Sequence, residues 1–321
     1  MADIVCLGEA LIDLVPTVSG VGLAAAETFV KAAGGAPANV AAGVARLGVS
    51  AGFLGAVGDD GFGHFLADTL AAAGVALAGL RFTDTAPTAI AAVSLRADGD
   101  REFVFYGNPA AHMMYAPDDV DEAVIRQARI LHFGSISLIG GPARAATLRA
   151  IDIAQANGVR VSFDPNLRLS LWPDAEAARA GMRLGLTKAN IVKIGEEEVH
   201  FLQGDSCDTV GGARALWHPE LELMAITRGT RGALWLDADT QGEEPGYKVA
   251  AIDTTGAGDA FMAGLLVGLV YHPEAINDHA MLGRVIRFAN ATGALTTTKR
   301  GAIPSIPDRA AVERFLAAQP I

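Results

Sequence analysis

The sequence predicts an α/β protein: a mostly parallel sheet covered on both faces by helices, with a small β lid over one end. Three observations carry that expectation. Short Val, Ile and Leu runs alternate with longer Ala-rich segments of helical period, and Gly-rich turns stand where apolar runs give way to helices. Two stretches in the first third break this rhythm with extended, alternating patterns.

Taken in order, strands are expected over 4–7, 52–57, 130–133, 159–163, 191–193 and 223–227, each a short apolar run bounded by turn residues. Amphipathic helices are expected over 38–47, 62–73, 143–156, 175–186, 210–217, 260–270 and 284–296. The segment 13–31 has extended character with Pro16 and Gly20, and 88–106 alternates like a hairpin around the turn Ala97-Asp98-Gly99-Asp100. Together they read as one discontinuous lid, 13–33 with 87–106, over a core of 1–12, 34–86 and 107–321.

The chain has 321 residues, of which 51% are hydrophobic and 19% charged, enough to bury a large core and unlike a disordered composition. Its net charge is −11 and no Lys or Arg block interrupts the acidity, which argues against nucleic acid or an anionic membrane as partner. An anionic ligand would therefore need a local device such as a helix N-terminus or one placed Arg. The two cysteines, Cys6 and Cys207, form neither a disulfide framework nor a metal-ligand spacing, as expected of a protein in a reducing cytoplasm. Asp3 takes the place of a basic leader and the apolar run 260–271 is too short to cross a bilayer, so a soluble protein is expected.

The densest motif is Asp253-Thr254-Thr255-Gly256-Ala257-Gly258-Asp259-Ala260-Phe261, a Gly-rich turn that opens an apolar helix. Such a turn can cradle an anion on backbone amides, and an Asp in the first helical turn suits a base that takes a proton from a group attacking phosphate. Asp259 as an ordinary helix-start residue is the plainer alternative. Other phosphate motifs are missing: there is no Gly-Lys dipeptide and hence no Walker loop, no protein-kinase motif set, and Phe261 stands where a dinucleotide fingerprint needs its last glycine.

A second motif, Gly34-Gly35-Ala36-Pro37-Ala38-Asn39, sets bare backbone beside an amide side chain, which suits a polyhydroxylated ligand as well as it suits a tight turn. Asp13 is expected to close the first strand, where it could accept two sugar hydroxyls or serve as a turn residue. Asp164-Pro165-Asn166-Leu167-Arg168 puts three polar groups at another strand exit, with Arg168 the candidate for phosphate charge. In Glu196-Glu197-Glu198 a carboxylate could hold Mg²⁺ through water, or the run could be a solvated helix start. Thr227-Arg228-Gly229-Thr230-Arg231-Gly232 is a glycine turn that could also be a plain hairpin returning over 232–236. The seven histidines have no zinc-ligand spacing.

On these residues the chain resembles the ribokinase-like (PfkB) carbohydrate kinases: 34–48 is similar to their first signature, and Asp253 to Phe261 to their second. The resemblance spans nearly the whole chain and takes in Gly58-Asp59-Asp60-Gly61-Phe62-Gly63 and the tail Gly301-Ala302-Ile303-Pro304-Ser305. Within the family, 8–16, Arg101-Glu102-Phe103, Gly134-Ser135-Ile136-Ser137-Leu138 and Leu171-Trp172-Pro173 look most like fructokinases. The resemblance implies a three-layer Rossmann-type core with a β lid, ATP as phosphoryl donor, Mg²⁺, and attack by the primary C6 hydroxyl of fructose. It implies Asp259 as base, an anion hole on Gly256, Ala257 and Gly258, and Arg168 at the transferring phosphoryl. Asp13, Gly34, Gly35, Asn39 and Asn166 would hold the sugar. Thr227, Gly229, Gly232 and Asn290 would line the nucleotide pocket, Glu198 would reach metal through water, and Asp253, Thr255 and Ser305 would stand near a K⁺ ion.

Two positions depart from the family pattern, Gly195 where Asn is frequent and Gly107 where fructokinases often carry Arg. A 2-keto-3-deoxygluconate kinase is the sister reading, disfavoured because 103–112 offers no Arg or Lys to a substrate carboxylate. From another class comes a non-catalytic sugar or nucleotide sensor, against which Asp259 argues. A homodimer through an apolar lid face is also expected.

Overall fold

The computed structural model describes residues 2–18, 20–95, 101–204 and 206–319. Its main sheet has nine strands in the order β13-β12-β11-β10-β9-β8-β1-β4-β5: β1 (Ile4–Leu7), β4 (Ala51–Gly58), β5 (Val75–Thr83), β8 (Ile130–Gly134), β9 (Arg160–Asp164), β10 (Ile191–Gly195), β11 (Leu223–Thr227), β12 (Ala233–Leu236) and β13 (Gln241–Glu244). All neighbours pair parallel from β11 to β5, and β12 and β13 close one edge antiparallel.

Within β1, Ile4 and Cys6 face one apolar cluster and Val5 and Leu7 the other, the period of two that buries a parallel strand on both sides. The first cluster packs α1 (Ala36–Arg46), α2 (Gly61–Ala72), α8 (Ala257–Tyr271), α9 (His279–Thr296) and α10 (Arg309–Ala317). The second packs α3 (Glu122–Arg126), α4 (Gly141–Ala156), α5 (Ala175–Leu186), α6 (Glu196–Gln203) and α7 (Thr209–Arg214). Helix α8 is buried on every side from Asp259 to Val270, which accounts for its unbroken apolar run. Among the described residues no helix is long and apolar enough to cross a membrane.

The second sheet has four strands in the order β3-β2-β6-β7: β2 (Leu11–Pro16), β3 (Phe29–Gly34), β6 (Ile90–Leu95) and β7 (Arg101–Tyr106). The two stretches that break the helical rhythm thus pair with each other, β2 with β6 in parallel. The turn expected at 97–100 lies outside the described residues. One expectation is corrected: the first core strand ends at Leu7, and Asp13 is the third residue of β2 in the small sheet. Gly8-Glu9-Ala10 separates the two strands, and Gly8 has φ +150°, so what looked like one run is two.

Helices α2, α3, α5, α7, α9 and α10 each open on an Asp side chain that accepts first-turn amides. By contrast α1 and α8 open on Gly35 and Gly256 with no cap from that residue, leaving two helix N-termini for other groups.

Candidate active site

The strand-exit motifs converge at the carboxyl ends of the parallel strands, beside the small sheet. Asp259 lies in the first turn of α8 and is 7% exposed. Its Oδ2 accepts from Nδ2 of Asn39 at 2.8 Å, and its Oδ1 from Nδ2 of Asn166 at 3.4 Å. Asn166 has φ +43°, a left-handed conformation that Asn tolerates and that the Pro165 turn requires. Burial raises the Asp259 carboxyl above its ordinary range, while the Asn39 bond, Lys193 and Arg168 pull the other way.

Gly256 occupies the left-handed region at φ +77°, and a Cβ there would stand 2.7 Å from Cβ of Ala302. This is the close approach for which glycine is needed. Of the amides expected to cradle an anion, that of Ala257 donates to the Thr254 carbonyl at 3.3 Å. Behind the turn, Asp253 Oδ1 accepts from Thr255 N at 2.9 Å and Thr255 Oγ1 at 2.7 Å, and Oδ2 accepts from Gly301 N at 2.9 Å. Ser305 donates to the carbonyls of Gly301 and Ala302. The three residues expected near a K⁺ ion are thus linked by hydrogen bonds through Gly301, which joins the C-terminal segment to the Gly256 turn.

At the small sheet, Asp13 packs directly over Gly34, where a Cβ would fall 2.2 Å from its Oδ2. Gly35 has φ +101° and lies against the Glu9 carbonyl. Burial pushes Asp13 up to about 7, with Asp259 and Asp253 pushing the same way and Arg168 against them. The Asp13 and Asp259 carboxyls both feel the Arg168 charge.

An open cleft of about 580 Å³ is lined by Asn166 to Arg168, Lys193, Gly195 to Glu198, and Thr227 to Arg231. Of the residues expected to line a nucleotide pocket, Thr227 and Gly229 line this cleft, and Gly232 and Asn290 are not among its lining residues. Gly232 at φ +90° packs under Glu244 to Gly246, and Asn290 donates to the carbonyls of Glu244 and Pro245 at 3.1 and 3.2 Å. Both brace the segment behind one wall. Glu198 accepts from Leu167 N and Gly195 N, each at 2.7 Å, so it pins the 164–168 loop to the start of α6. Gly195 contributes only its amide there.

Four residues of the site were not anticipated. Lys193 is buried in the cleft floor, with Nζ 2.9 and 3.1 Å from the two oxygens of Asp164, and a Cβ at Gly258 would stand 3.2 Å from it. Burial works against its charge, but Asp164, Glu198 and Asp259 outweigh it and hold the ammonium above its usual range. A lone Lys inside the apolar run Ile191 to Ile194 was the available signal. Arg228 and Arg231, paired with Glu243 and Glu196, flank the mouth. The fourth, Glu9, lies buried beneath Gly35.

The arrangement can serve phosphoryl transfer: a buried carboxylate stands in the first turn of a helix whose N-terminal glycine supplies no cap, beside a cleft that carries both cationic and acidic residues. Comparison with known proteins agrees. A model of the pfkB family carbohydrate kinases matches residues 1–309. Probable fructokinase-4 of Arabidopsis thaliana is 48% identical over 98% of this chain and 96% of its own length. Fructokinase-2 of Solanum lycopersicum is 48% identical over 95% and 93%. Among solved structures, a fructokinase with bound ATP from Xylella fastidiosa superposes with a TM-score of 0.90 at 35% identity, covering 99% of both chains. A Vibrio cholerae O395 fructokinase bound to fructose, ADP and calcium gives 0.88 at 35% over 98% and 99%. The chain belongs to the pfkB family of carbohydrate kinases.

Proposed function

We propose that this kinase transfers the γ-phosphoryl of ATP to the primary C6 hydroxyl of fructose. The observation that carries the reading is the Asp259 carboxylate, buried at the head of α8 and aimed by Asn39 between the sugar side and the cleft. Asp13 and Asn39 orient the sugar hydroxyls over the bare backbone of Gly34 and Gly35, and Asn166 reaches in from the opposite loop. The triphosphate lies along the cleft, its terminal group at the N-terminus of α8.

As the C6 oxygen attacks, the new P–O bond forms, the bond to the ADP oxygen breaks, and the hydroxyl proton passes to Asp259. Charge spread over the equatorial oxygens is met by the amides of Gly256 and Gly258, by that of Ala257 once it leaves Thr254, and by Arg168. No group of three His, Cys, Asp or Glu side chains forms a ready-made metal cage among the described residues. Mg²⁺, which neutralises phosphate charge when bound, would then be held by the nucleotide and, through water, by Glu198, a donor set that suits it. The oxygens of Asp253, Thr255 and Ser305 suit K⁺, which would steady the turn.

The small sheet exposes Val15 and Val30 on one face, and Phe29, Val104 and Tyr106 on the other face. A second copy covering one of these faces would make a homodimer, checked by size exclusion with light scattering. The function itself is tested by coupled ADP release with Mg²⁺-ATP, with and without K⁺, against fructose, 2-keto-3-deoxygluconate, ribose, glucose and adenosine. Preference for fructose is the expected result; a better acceptor in the panel replaces the substrate, and nucleotide binding without any turnover overturns the enzyme reading.

A further inference from the structure

Glu9 has no part in the reaction just described, yet it is 2% exposed directly beneath the sugar side. Its Oε1 accepts the N–H of Ala36, the first residue of α1, at 3.1 Å. Gly35 can offer that helix no side chain, so Glu9 supplies the cap from 27 residues away. Its own carbonyl packs against Gly35, where a Cβ would stand 2.4 Å from it. One turn on, Asn39 N donates to Gly35 O at 2.8 Å and its side chain reaches Asp259. Glu9 thus underlies both backbone and side-chain contacts proposed for the sugar.

The other oxygen, Oε2, is buried without a partner among the described residues, and so is Nδ1 of His112. Both residues border a cavity of about 10 Å³, the room of one water, together with Tyr115, Ser137 and Thr147. Those three hydroxyls donate elsewhere, to the carbonyls of Asp119, Gly134 and Ala143 at 3.0, 3.0 and 2.8 Å. The cavity is left with two buried, unpartnered atoms, Glu9 Oε2 and His112 Nδ1, and wants one proton to join them, carried by the acid or by the imidazole. Burial pushes Glu9 up to about 7, with Asp259 adding to it and backbone donors and Arg168 opposing, while burial pushes His112 down to about 4. A protonated acid facing a neutral imidazole meets that want.

We infer that Glu9 is a positioning residue for the sugar: as a neutral acid it caps α1 with one oxygen and donates from the other into the cavity beside His112. Gly35 and Asn39 are held against Asp259 by that double anchorage. The inference rests on the sugar-kinase reading above.

The test compares Glu9→Ala and Glu9→Gln by kinetics and by calorimetric titration of sugar and of ATP. Removing the cap should raise KM and Kd for fructose about tenfold or more while leaving those for ATP within about twofold. Glu9→Gln keeps an acceptor for Ala36 and a donor for the cavity, so it should recover fructose affinity to within about threefold of wild type. It should also hold that affinity up to pH 9, where the wild type loses it as Glu9 ionises. Equal weakening towards sugar and nucleotide in both variants would reduce Glu9 to general scaffolding and overturn the inference. So would a Glu9→Gln as impaired as Glu9→Ala, because the anion would then be the working form. If Glu9→Ala does not fold, the pH profile of Glu9→Gln decides alone. Should the wild type prefer another sugar, the substrate reading fails and the same comparison is made with the sugar it accepts.

Discussion

Asn39 and Asp259 lie 220 residues apart, and their side chains meet at 2.8 Å, amide to carboxylate, across the first turns of two helices that both open on a glycine with no side chain to cap them. The Gly34–Asn39 motif, proposed to hold sugar, and the Asp253–Phe261 motif, proposed to hold phosphate, are therefore joined side chain to side chain. The bond favours the ionised form of a carboxyl that burial drives the other way. Because a base must be ionised to accept a proton, turnover should rise with pH through the raised Asp259 pKa. Asn39→Ala removes a stabiliser of the anion, so the acidic limb of its kcat profile should move to higher pH, beyond any loss in fructose affinity. A limb that stays in place, or moves to lower pH, would show that the bond does not tune the base.

Asp259→Asn keeps the shape of the site and removes its proton acceptor. Turnover should fall by a factor on the order of 10² or more, with ATP affinity by calorimetry near wild type. Turnover close to wild type would take Asp259 out of the role of base.

Asp13 gives a prediction on stability whose sign can be worked out. Its carboxyl sits at about 7 in the fold against an ordinary value of 3.8. Between those values the folded state binds more protons than the unfolded one, so this group makes stability fall as pH rises from about 4 to about 7. Asp13→Asn should therefore gain Tm relative to wild type at pH 8, gain little or nothing at pH 4, and lose fructose affinity at both. A Tm difference that does not change with pH would show that Asp13 titrates as it does in the unfolded chain. Stability given up at a ligand site in this way is the usual mark of a group retained for binding.

The glycine turn that opens α8 and the parallel core were legible because their causes are local. Glycines at set spacing before an apolar run, and strands apolar on both faces, write themselves into neighbouring residues. Helix α5 was expected at its observed bounds for the same reason, with Asp174 as its visible cap. Strand β13, Gln241–Glu244, is a polar edge held only by its partner, so no periodicity announces it. Asp13 was assigned to the wrong strand because two short strands separated by a three-residue kink look like one run. The site's remaining parts depend on distant pairing: Glu9 caps a helix 27 residues away, and Lys193 is explained only by Asp164, 29 residues before it. Nothing in the flanking residues of either Glu9 or Lys193 identifies its partner.

Lys193 and Asp164 form an ion pair whose side chains are 8% and 3% exposed, and the pair lies under Gly258. Lys193→Met strands a carboxylate in the interior, which should cost about 3–5 kcal/mol of stability. Adding Asp164→Leu removes the stranded charge and should restore most of that loss in denaturant titrations, since two well-packed apolar groups can replace a buried pair. Turnover should not return with it. The ammonium lines the cleft beside Gly258, whose amide is proposed to receive the phosphoryl group, and a fixed positive charge in a low dielectric there would stabilise charge that develops in transfer. The double variant should therefore fold and bind sugar while its kcat remains about tenfold or more below wild type. Recovery of kcat together with stability would instead assign the pair to the architecture of strands β9 and β10 alone.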